Sequence, residues 1–256
     1  MDRVDAIILA GAPADPGLAP EGVSISRAMI GLGNKTMLQW VVDALRRSSS
    51  ICRIAAVGDV SADGLDMVIQ PGENLVGNIK LGIDALKPSG HVLIVSSDIP
   101  LLTAESVDDF ISRALKNDVD LAYPILPKAH CEKRYPEFKR TYLKTASGVF
   151  TGGNIMLVKP DFIERNWNAI AAAYAARKKI FKLARIIGVG VLLRAVIAQV
   201  IPQALHISML ERAVSRMLDA RVAAIVSAYP EIGEDVDKHS DLEAVKKILI
   251  TSGEVR

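Results

Sequence analysis

The sequence predicts an α/β fold, a mostly parallel mixed sheet flanked by helices, and three observations carry that expectation. Apolar runs at residues 4–10, 51–57 and 91–96 have the near-continuous hydrophobicity of strands buried on both faces. Stretches of helical period at 35–47, 75–86 and 103–116 follow them. The resulting β-α-β-α alternation is the pattern of a parallel sheet covered by helices.

Taken in order, the first strand (4–10) ends at Gly11 and opens into a Gly/Pro/Ala-rich stretch, 11–22, with no hydrophobic period. Connections of that length inside a compact domain are usually functional or disordered. The helix at 35–47 places Met37, Leu38, Val41, Val42 and Leu45 on one face. A second strand at 51–57, a short one at 67–69, a helix at 75–86, a strand at 91–96 and a helix at 103–116 complete the alternating half. Beyond about residue 120 the pattern changes: 121–126, 141–145 and 154–158 read as strands without intervening helices, so part of the sheet is mixed. Residues 161–174 and 179–217 are helical by period, broken near Gly188–Gly190 and at Pro202, and a strand (221–228) and a helix (240–250) close the chain. No Pro/Gly/Ser linker divides the sequence, which reads as one domain over 1–256, with a helical insertion at about 160–220.

Half of the 256 residues are hydrophobic, enough for a sizeable core, and the net charge of +2 is nearly neutral. With no basic block either, a nucleic-acid partner is not implied. Cys52 and Cys131 are too few for a disulfide framework and lack metal-ligand spacing. They suit a reducing compartment, and with no signal-peptide pattern at the start the expectation is a cytoplasmic protein. Residues 186–201 are the most apolar stretch, but Arg194 and Gln199 interrupt it, short of the ~18 uninterrupted apolar residues of a membrane span. The expectation is a buried helix, with residues 180–201 packed as helices over the sheet or on a partner subunit in a homo-oligomer.

Four places could do chemistry. In an open α/β sheet ligands bind outside the carboxyl ends of the strands, where Leu9, Ala10, Gly11 and Ala12 stand. A glycine there lets backbone N–H groups approach a phosphate or base, although an ordinary turn has the same composition. No Gly-Lys-Ser/Thr follows, which excludes a Walker-type phosphate loop. Asp98 lies just past an apolar strand, with Pro100 turning the chain. Thr103 is better placed to cap the next helix, which leaves Asp98 for a hard cation such as magnesium, bound through one or two carboxylates with substrate phosphates and waters. Asp235 and Asp237 share one side of an extended segment, and Ser240 with Glu243 reads as the capping box of the last helix. The segment is a solvated acidic loop or the source of the second carboxylate that Asp98 needs. Finally Lys133, Arg134, Lys139, Arg140 and Lys144, ahead of Gly152, Gly153 and Asn154, suit either an acceptor phosphate or a solvated hairpin face. No histidine stands at catalytic spacing from a partner.

In this order the segments resemble the nucleotidyltransferases of the molybdopterin-guanine dinucleotide synthase-like (MobA-like) group. Residues 6–11 are similar to that family's first strand and nucleotide loop. Residues 26–30, 34–38 and 41–45 resemble its block of a lysine, then Gly-Lys-Pro-Met, then a helix. Residues 97–102 look like its Asp-x-Pro-Leu metal motif, 151–154 like its Gly-Asn acceptor strand, and 235–242 like its closing Asp-x-Asp and Asp-Leu motif. The chain departs from the family pattern in three ways: Ala12 stands where a second glycine is usual, a Pro-rich loop follows where an arginine is usual a few residues on, and Arg27 stands where the phosphate-binding lysine is usual.

The resemblance implies a Rossmann-like nucleotide-diphospho-sugar transferase fold of the glycosyltransferase-A type, with a nucleotide-binding half (1–120) and an acceptor half (121–256). It implies transfer of a nucleoside monophosphate from an NTP to a phosphorylated acceptor, with pyrophosphate released and Mg2+ as cofactor. Asp98 and Asp237 would carry the metal. Leu9, Ala10, Gly11, Ala12, Gly72 and Asn78 would hold the nucleotide, and Arg27 and Lys35 the triphosphate. Gly153, Asn154 and Arg140 would face the acceptor. A nucleotide-sugar glycosyltransferase of the same fold, or a non-catalytic nucleotide-binding protein, are the alternatives.

Overall fold

The structure is a computed structural model, described over residues 3–15, 17–18, 25–176 and 188–253. The first half runs β1 (Val4–Leu9), a short hairpin of β2 (Gly31–Leu32) and β3 (Lys35–Thr36), and α1 (Met37–Arg47). Then follow β4 (Ile51–Val57), β5 (Met67–Ile69), α2 (Leu75–Leu86), β6 (Val92–Ser96) and α3 (Ala104–Leu115). α1 begins two residues later than its period suggests. Lys35 and Thr36 are taken by the hairpin, and the Thr36 side chain accepts from the Gln39 N–H as helix cap. Thr103 caps α3 as expected, its hydroxyl accepting from the Ser106 N–H.

The second half contains β7 (Leu121–Pro127), α4 (Lys128–Arg134), β8 (Leu143–Thr145), β9 (Gly148–Gly152), β10 (Ile155–Val158), α5 (Pro160–Arg165) and α6 (Trp167–Ala176). After residues 177–187, which lie outside the described part, come α7 (Val189–Ile197), α8 (Ile207–Leu218), β11 (Val222–Val226) and α9 (His239–Thr251). Three expectations are corrected here. α4 stands between strands where no helix was expected, because a seven-residue helix is too short to show a period. β9 was hidden by its terminal glycines, which read as loop. The apolar stretch around 189–201 is not buried against this chain's own sheet: Val189, Val196 and Val200 are 68%, 63% and 85% exposed. Hydrophobicity specified a helix there but not what covers it. The part of the expected helical segment at 180–187 lies outside the described residues.

Nine strands form one sheet in the order β5-β4-β1-β6-β10-β7-β9-β8, with β11 on β7. β5, β4, β1 and β6 are mutually parallel, β10 is antiparallel to β6 and β7, and β11 is parallel to β7. β9 and β10 run along the same strand, β7: Gly152 pairs with Ile125 and Leu157 with Ala122. The chain turns between them at Gly153–Asn154, and Gly153 has no room for a side chain. A Cβ on Gly153 would lie 2.8 Å from Ile232 and 2.9 Å from Pro124.

The alternation along β1 divides the core. Ala6, Ile8 and Ala10 pack with Leu38, Val41, Val42 and Leu45 of α1 and Phe110 of α3. Ile7 faces the opposite layer, with Ile79, Ile83 and Leu86 of α2 and Phe162 of α5. Each such Val, Leu, Ile or Phe side chain, fully withdrawn from water, contributes roughly 1.5–3 kcal/mol. α2 lies unusually close to β1, because Gly82 faces Ile7: a Cβ there would come within 2.7 Å of the Ile7 side chain. That close approach holds Asn78, one turn earlier on α2, at the carboxyl end of β1.

Candidate active site

All the parallel strands of the first half end at one edge, so their outgoing loops meet there. The Ala10 N–H donates to the Val57 carbonyl (2.9 Å) and the Gly58 N–H to the Ile69 carbonyl (3.0 Å). Gly58 is a glycine by necessity, since a Cβ would lie 2.5 Å from the Ala10 oxygen. Beside it, Gly11, Gly72 and Asn78 come together. The Gly72 N–H donates to Asn78 Oδ1 at 2.7 Å, and a Cβ on Gly11 would meet Asn78 Nδ2 at 2.9 Å. The result is a cradle of backbone with few side chains over it, suited to a planar base or a phosphate.

The loop after β1 is stapled to residues 25–27. Ser26 Oγ donates to the Ala10 carbonyl (2.6 Å), and the Arg27 N–H donates to the Ala12 carbonyl (2.9 Å). This staple fixes where Arg27 emerges. Its guanidinium reaches across the strand ends into a nest of carboxylates: Nη1 donates to Asp98 Oδ2 (3.1 Å) and Asp237 Oδ1 (2.7 Å), and Nη2 to Asp15. The Arg27 side chain is only 15% exposed. Burial works to lower its pKa, but Asp98, Asp15 and Asp237 outweigh that and hold it above its ordinary value.

Asp98 is held on both sides. Ser96 Oγ donates to its carboxylate, and its backbone carbonyl accepts from the Val236 N–H (2.9 Å). That backbone bond draws the closing acidic segment over the end of β6 and brings Asp235 and Asp237 to Asp98. Burial, and then the charges of Asp237 and Asp98, raise the pKa of Asp235. The Ser240–Glu243 capping box does not form. Asp241 does that duty, accepting from the N–H groups of Asp237 and Lys238 (3.2 Å each), while Glu243 pairs with Lys246. Asp237 is thereby fixed from its own backbone, which a cap at Ser240 would not have done.

A divalent cation is compatible with this donor set. Oxygens of Asp98 and Asp237 already converge on one cationic nitrogen, and hard carboxylate oxygens suit magnesium. Among the described residues no cluster of three or more His, Cys, Asp or Glu has metal-site geometry, so any metal here would rely on this pair, with substrate and water completing the shell.

On the acceptor side the structure brings Gly153, Asn154 and Arg140 together but turns two of them inward. Arg140, 13% exposed, donates to the carbonyls of Gly152 (2.9 Å) and Gly233 and lies 3.4 Å from Glu234 Oε2. It braces the end of β9 against the closing segment and does not reach outward for a phosphate. Asn154 donates its side chain to the Gly233 carbonyl (3.0 Å) and its backbone N–H to the Ile232 carbonyl (2.9 Å). Lys35 is occupied away from the Arg27 nest: its ammonium pairs with Asp43 at 2.7 Å and lies 4.5 Å from the Trp40 ring centre. Lys144 donates to the Gln199 carbonyl. Of the expected basic cluster, Arg140 and Lys144 are thus taken by backbone carbonyls, and Arg134 lies over the Tyr135 ring.

Sequence reasoning missed Asp15, Ser96, Gly58 and Glu234. Ser96 could have been found from its place two residues before Asp98. Glu234 is completely buried, and burial pushes its carboxyl up to about 7 against the opposing charge of Arg140. Nothing in the sequence separates it from Asp235 and Asp237, which are both more exposed.

Comparison with known proteins agrees with this architecture. The profile of the MobA-like NTP transferase domain matches residues 6–204. A hypothetical transferase from Thermus thermophilus is 32% identical, with a TM-score of 0.83 over 94% of this chain and 99% of that one. The CMP-2-keto-3-deoxy-manno-octonic acid synthetase solved with CTP superposes with a TM-score of 0.58 at 11% identity, over 98% and 100% of the two chains. The 4-diphosphocytidyl-2C-methyl-D-erythritol synthase does so at 0.57 and 14%, over 96% and 100%. These two likenesses show the nucleotide-diphospho-sugar transferase fold. No curated protein matches by sequence. By the profile and the Thermus relative, the chain belongs to the family of MobA-like NTP transferases.

Proposed function

We propose that this chain moves a nucleoside monophosphate from an NTP onto a phosphorylated small-molecule acceptor, releasing pyrophosphate, at the edge where β1 and β6 end. The observation that carries the reading is the convergence of Arg27, Asp98 and Asp237 beside the Gly11–Gly72–Asn78 cradle. Glycines place backbone against the nucleotide, one arginine offers charge to the triphosphate, and the carboxylates of Asp98 and Asp237 would hold a cation.

Attack by an acceptor phosphate oxygen on the α-phosphorus is opposed chiefly by charge, since both reactants are anions. Bound magnesium, held by Asp98 and Asp237, would supply neutralising charge at the α-phosphate and leaving group. Arg27 remains charged at any relevant pH and presents a planar fork suited to phosphate oxygens. Its buried Nε has no partner among the described residues, so the side chain has donor capacity left when its carboxylate contacts exchange for phosphate. The acceptor is already ionised near neutrality, so the reaction needs no general base. Gly153 and Asn154, with Arg140 behind them, shape the acceptor side through backbone.

A panel of NTPs and phosphorylated acceptors, assayed for pyrophosphate release with and without Mg2+, tests the reading. Magnesium-dependent pyrophosphate release that requires both substrates is expected. Release of a nucleoside diphosphate from a nucleotide sugar would assign a glycosyltransferase in its place.

A further inference from the structure

A cavity of 660 Å³ lies on the acceptor half, between the β7–β11 region of the sheet and α8. That volume is within the ~300–1,000 Å³ of small-molecule sites. Its walls are almost wholly apolar: Tyr123, Ile125, Phe150 and Met156 from the strands, Leu210 and Val214 from α8. Several polar groups at its edge are turned to the protein. Tyr123 donates to the Gly153 carbonyl (2.7 Å), Thr145 to the Gly148 carbonyl (2.9 Å), and Glu211 accepts from the Ala224 N–H (2.9 Å). A sugar or heterocycle needs convergent donors and acceptors, and this wall supplies few.

Its position ties it to the acceptor. Gly152 forms part of the wall, and the next residues are Gly153 and Asn154 at the turn between β9 and β10. Away from that end, Gln199 lines the cavity, and its neighbours Val200 and Ile201 are 85% and 55% exposed. Apolar surface therefore continues from the cavity onto the outer face of the region around α7. No described helix is long and apolar enough to cross a membrane.

We infer that this cavity receives the apolar chain of the acceptor, which is a phosphate monoester of a long alkyl or isoprenoid alcohol. The inference rests on the nucleotidyltransferase reading for its chemistry. A phosphate oxygen of the monoester bonds to the α-phosphorus of the NTP, the bond from that phosphorus to the bridging oxygen breaks, and pyrophosphate leaves with the electron pair. The product is a nucleoside diphosphate esterified to the chain, and a chain longer than the cavity continues over the exposed residues beside α7.

The test uses the whole protein and the series from butyl to decyl phosphate, below their micelle concentrations, with glycerol phosphate as polar comparator. In titration calorimetry without NTP, affinity should rise about fourfold per methylene until the cavity fills, the factor that corresponds to ~0.8 kcal/mol per buried CH₂. Leu210→Trp, or Val214→Phe if the first does not fold, should cut octyl phosphate affinity at least tenfold and leave NTP affinity unchanged. Affinity that is flat across the series overturns the inference, whether a second copy or this chain's own residues close the cavity. Pyrophosphate release as fast with glycerol phosphate as with octyl phosphate also overturns it, while leaving the proposed function intact. Length-dependent binding with no pyrophosphate release from any NTP supports the cavity assignment and removes the proposed function.

Discussion

Arg27 and Asp237, separated by 210 positions in sequence, meet at 2.7 Å, and the same guanidinium nitrogen lies 3.1 Å from Asp98. The arginine proposed to meet the triphosphate therefore occupies the space between the two carboxylates proposed to hold the metal. Without substrate, Arg27 is the counter-charge of the site. Under the proposed function, binding NTP and magnesium would require it to exchange those carboxylates for phosphate oxygens.

That exchange gives Arg27→Ala two opposite effects. NTP binding should weaken by ~1.5–3 kcal/mol, the range for a hydrogen bond to a charged group, and Arg27→Lys should recover part of it. Magnesium or manganese binding in the absence of NTP should tighten, because the competing cation is gone. Calorimetric titration of each ligand separately measures both. Unchanged NTP affinity in Arg27→Ala would remove this residue from the triphosphate site, and unchanged metal affinity would mean that Arg27 and the metal do not compete.

The cradle makes a steric prediction. Gly11→Ala would put a methyl group 2.9 Å from Asn78 Nδ2 and displace the side chain that accepts from the Gly72 N–H. NTP affinity should fall roughly tenfold, ~1.4 kcal/mol, with the far-UV circular dichroism unchanged. Wild-type affinity in a folded Gly11→Ala protein would place the nucleotide elsewhere.

Much of the architecture was readable because the signals were long and periodic. The boundaries of α2 and β4 are those the sequence suggests, and Asp98 was singled out correctly as free of capping duty once Thr103 was seen to cap α3. The site was less readable because its geometry depends on contacts distant in sequence. Charge alone could not tell that Arg140 is consumed by the carbonyls of Gly152 and Gly233, or that Lys35 is held by Asp43. Nor could composition separate Glu234 from Asp237 three positions on, one wholly buried and one 64% exposed. For the region around α7 the sequence showed apolar character but not what it packs against.

Glu234 gives a pH signature. Its carboxyl is raised from 4.5 to about 7 by burial. Between those values the folded state holds a proton that the unfolded state has released, so this group's contribution to stability is present below about 4.5 and lost as pH rises through about 7. The loss amounts to at most about 3 kcal/mol. Glu234→Gln should remove it, so that the difference in urea stability between variant and wild type grows from pH 5 to pH 8. A difference that stays constant across that range contradicts a raised pKa at this residue.

The most direct measurement follows the α-phosphate of an NTP labelled there, with wild type and Asp98→Asn, in the presence of magnesium and a phosphorylated acceptor. The account predicts label transferred to the acceptor with one pyrophosphate per transfer. It also predicts loss of that transfer in Asp98→Asn, whose fold and melting temperature stay close to wild type. Transfer at the wild-type rate by a folded Asp98→Asn protein, or label that remains in NTP with every base and acceptor tried, would contradict it.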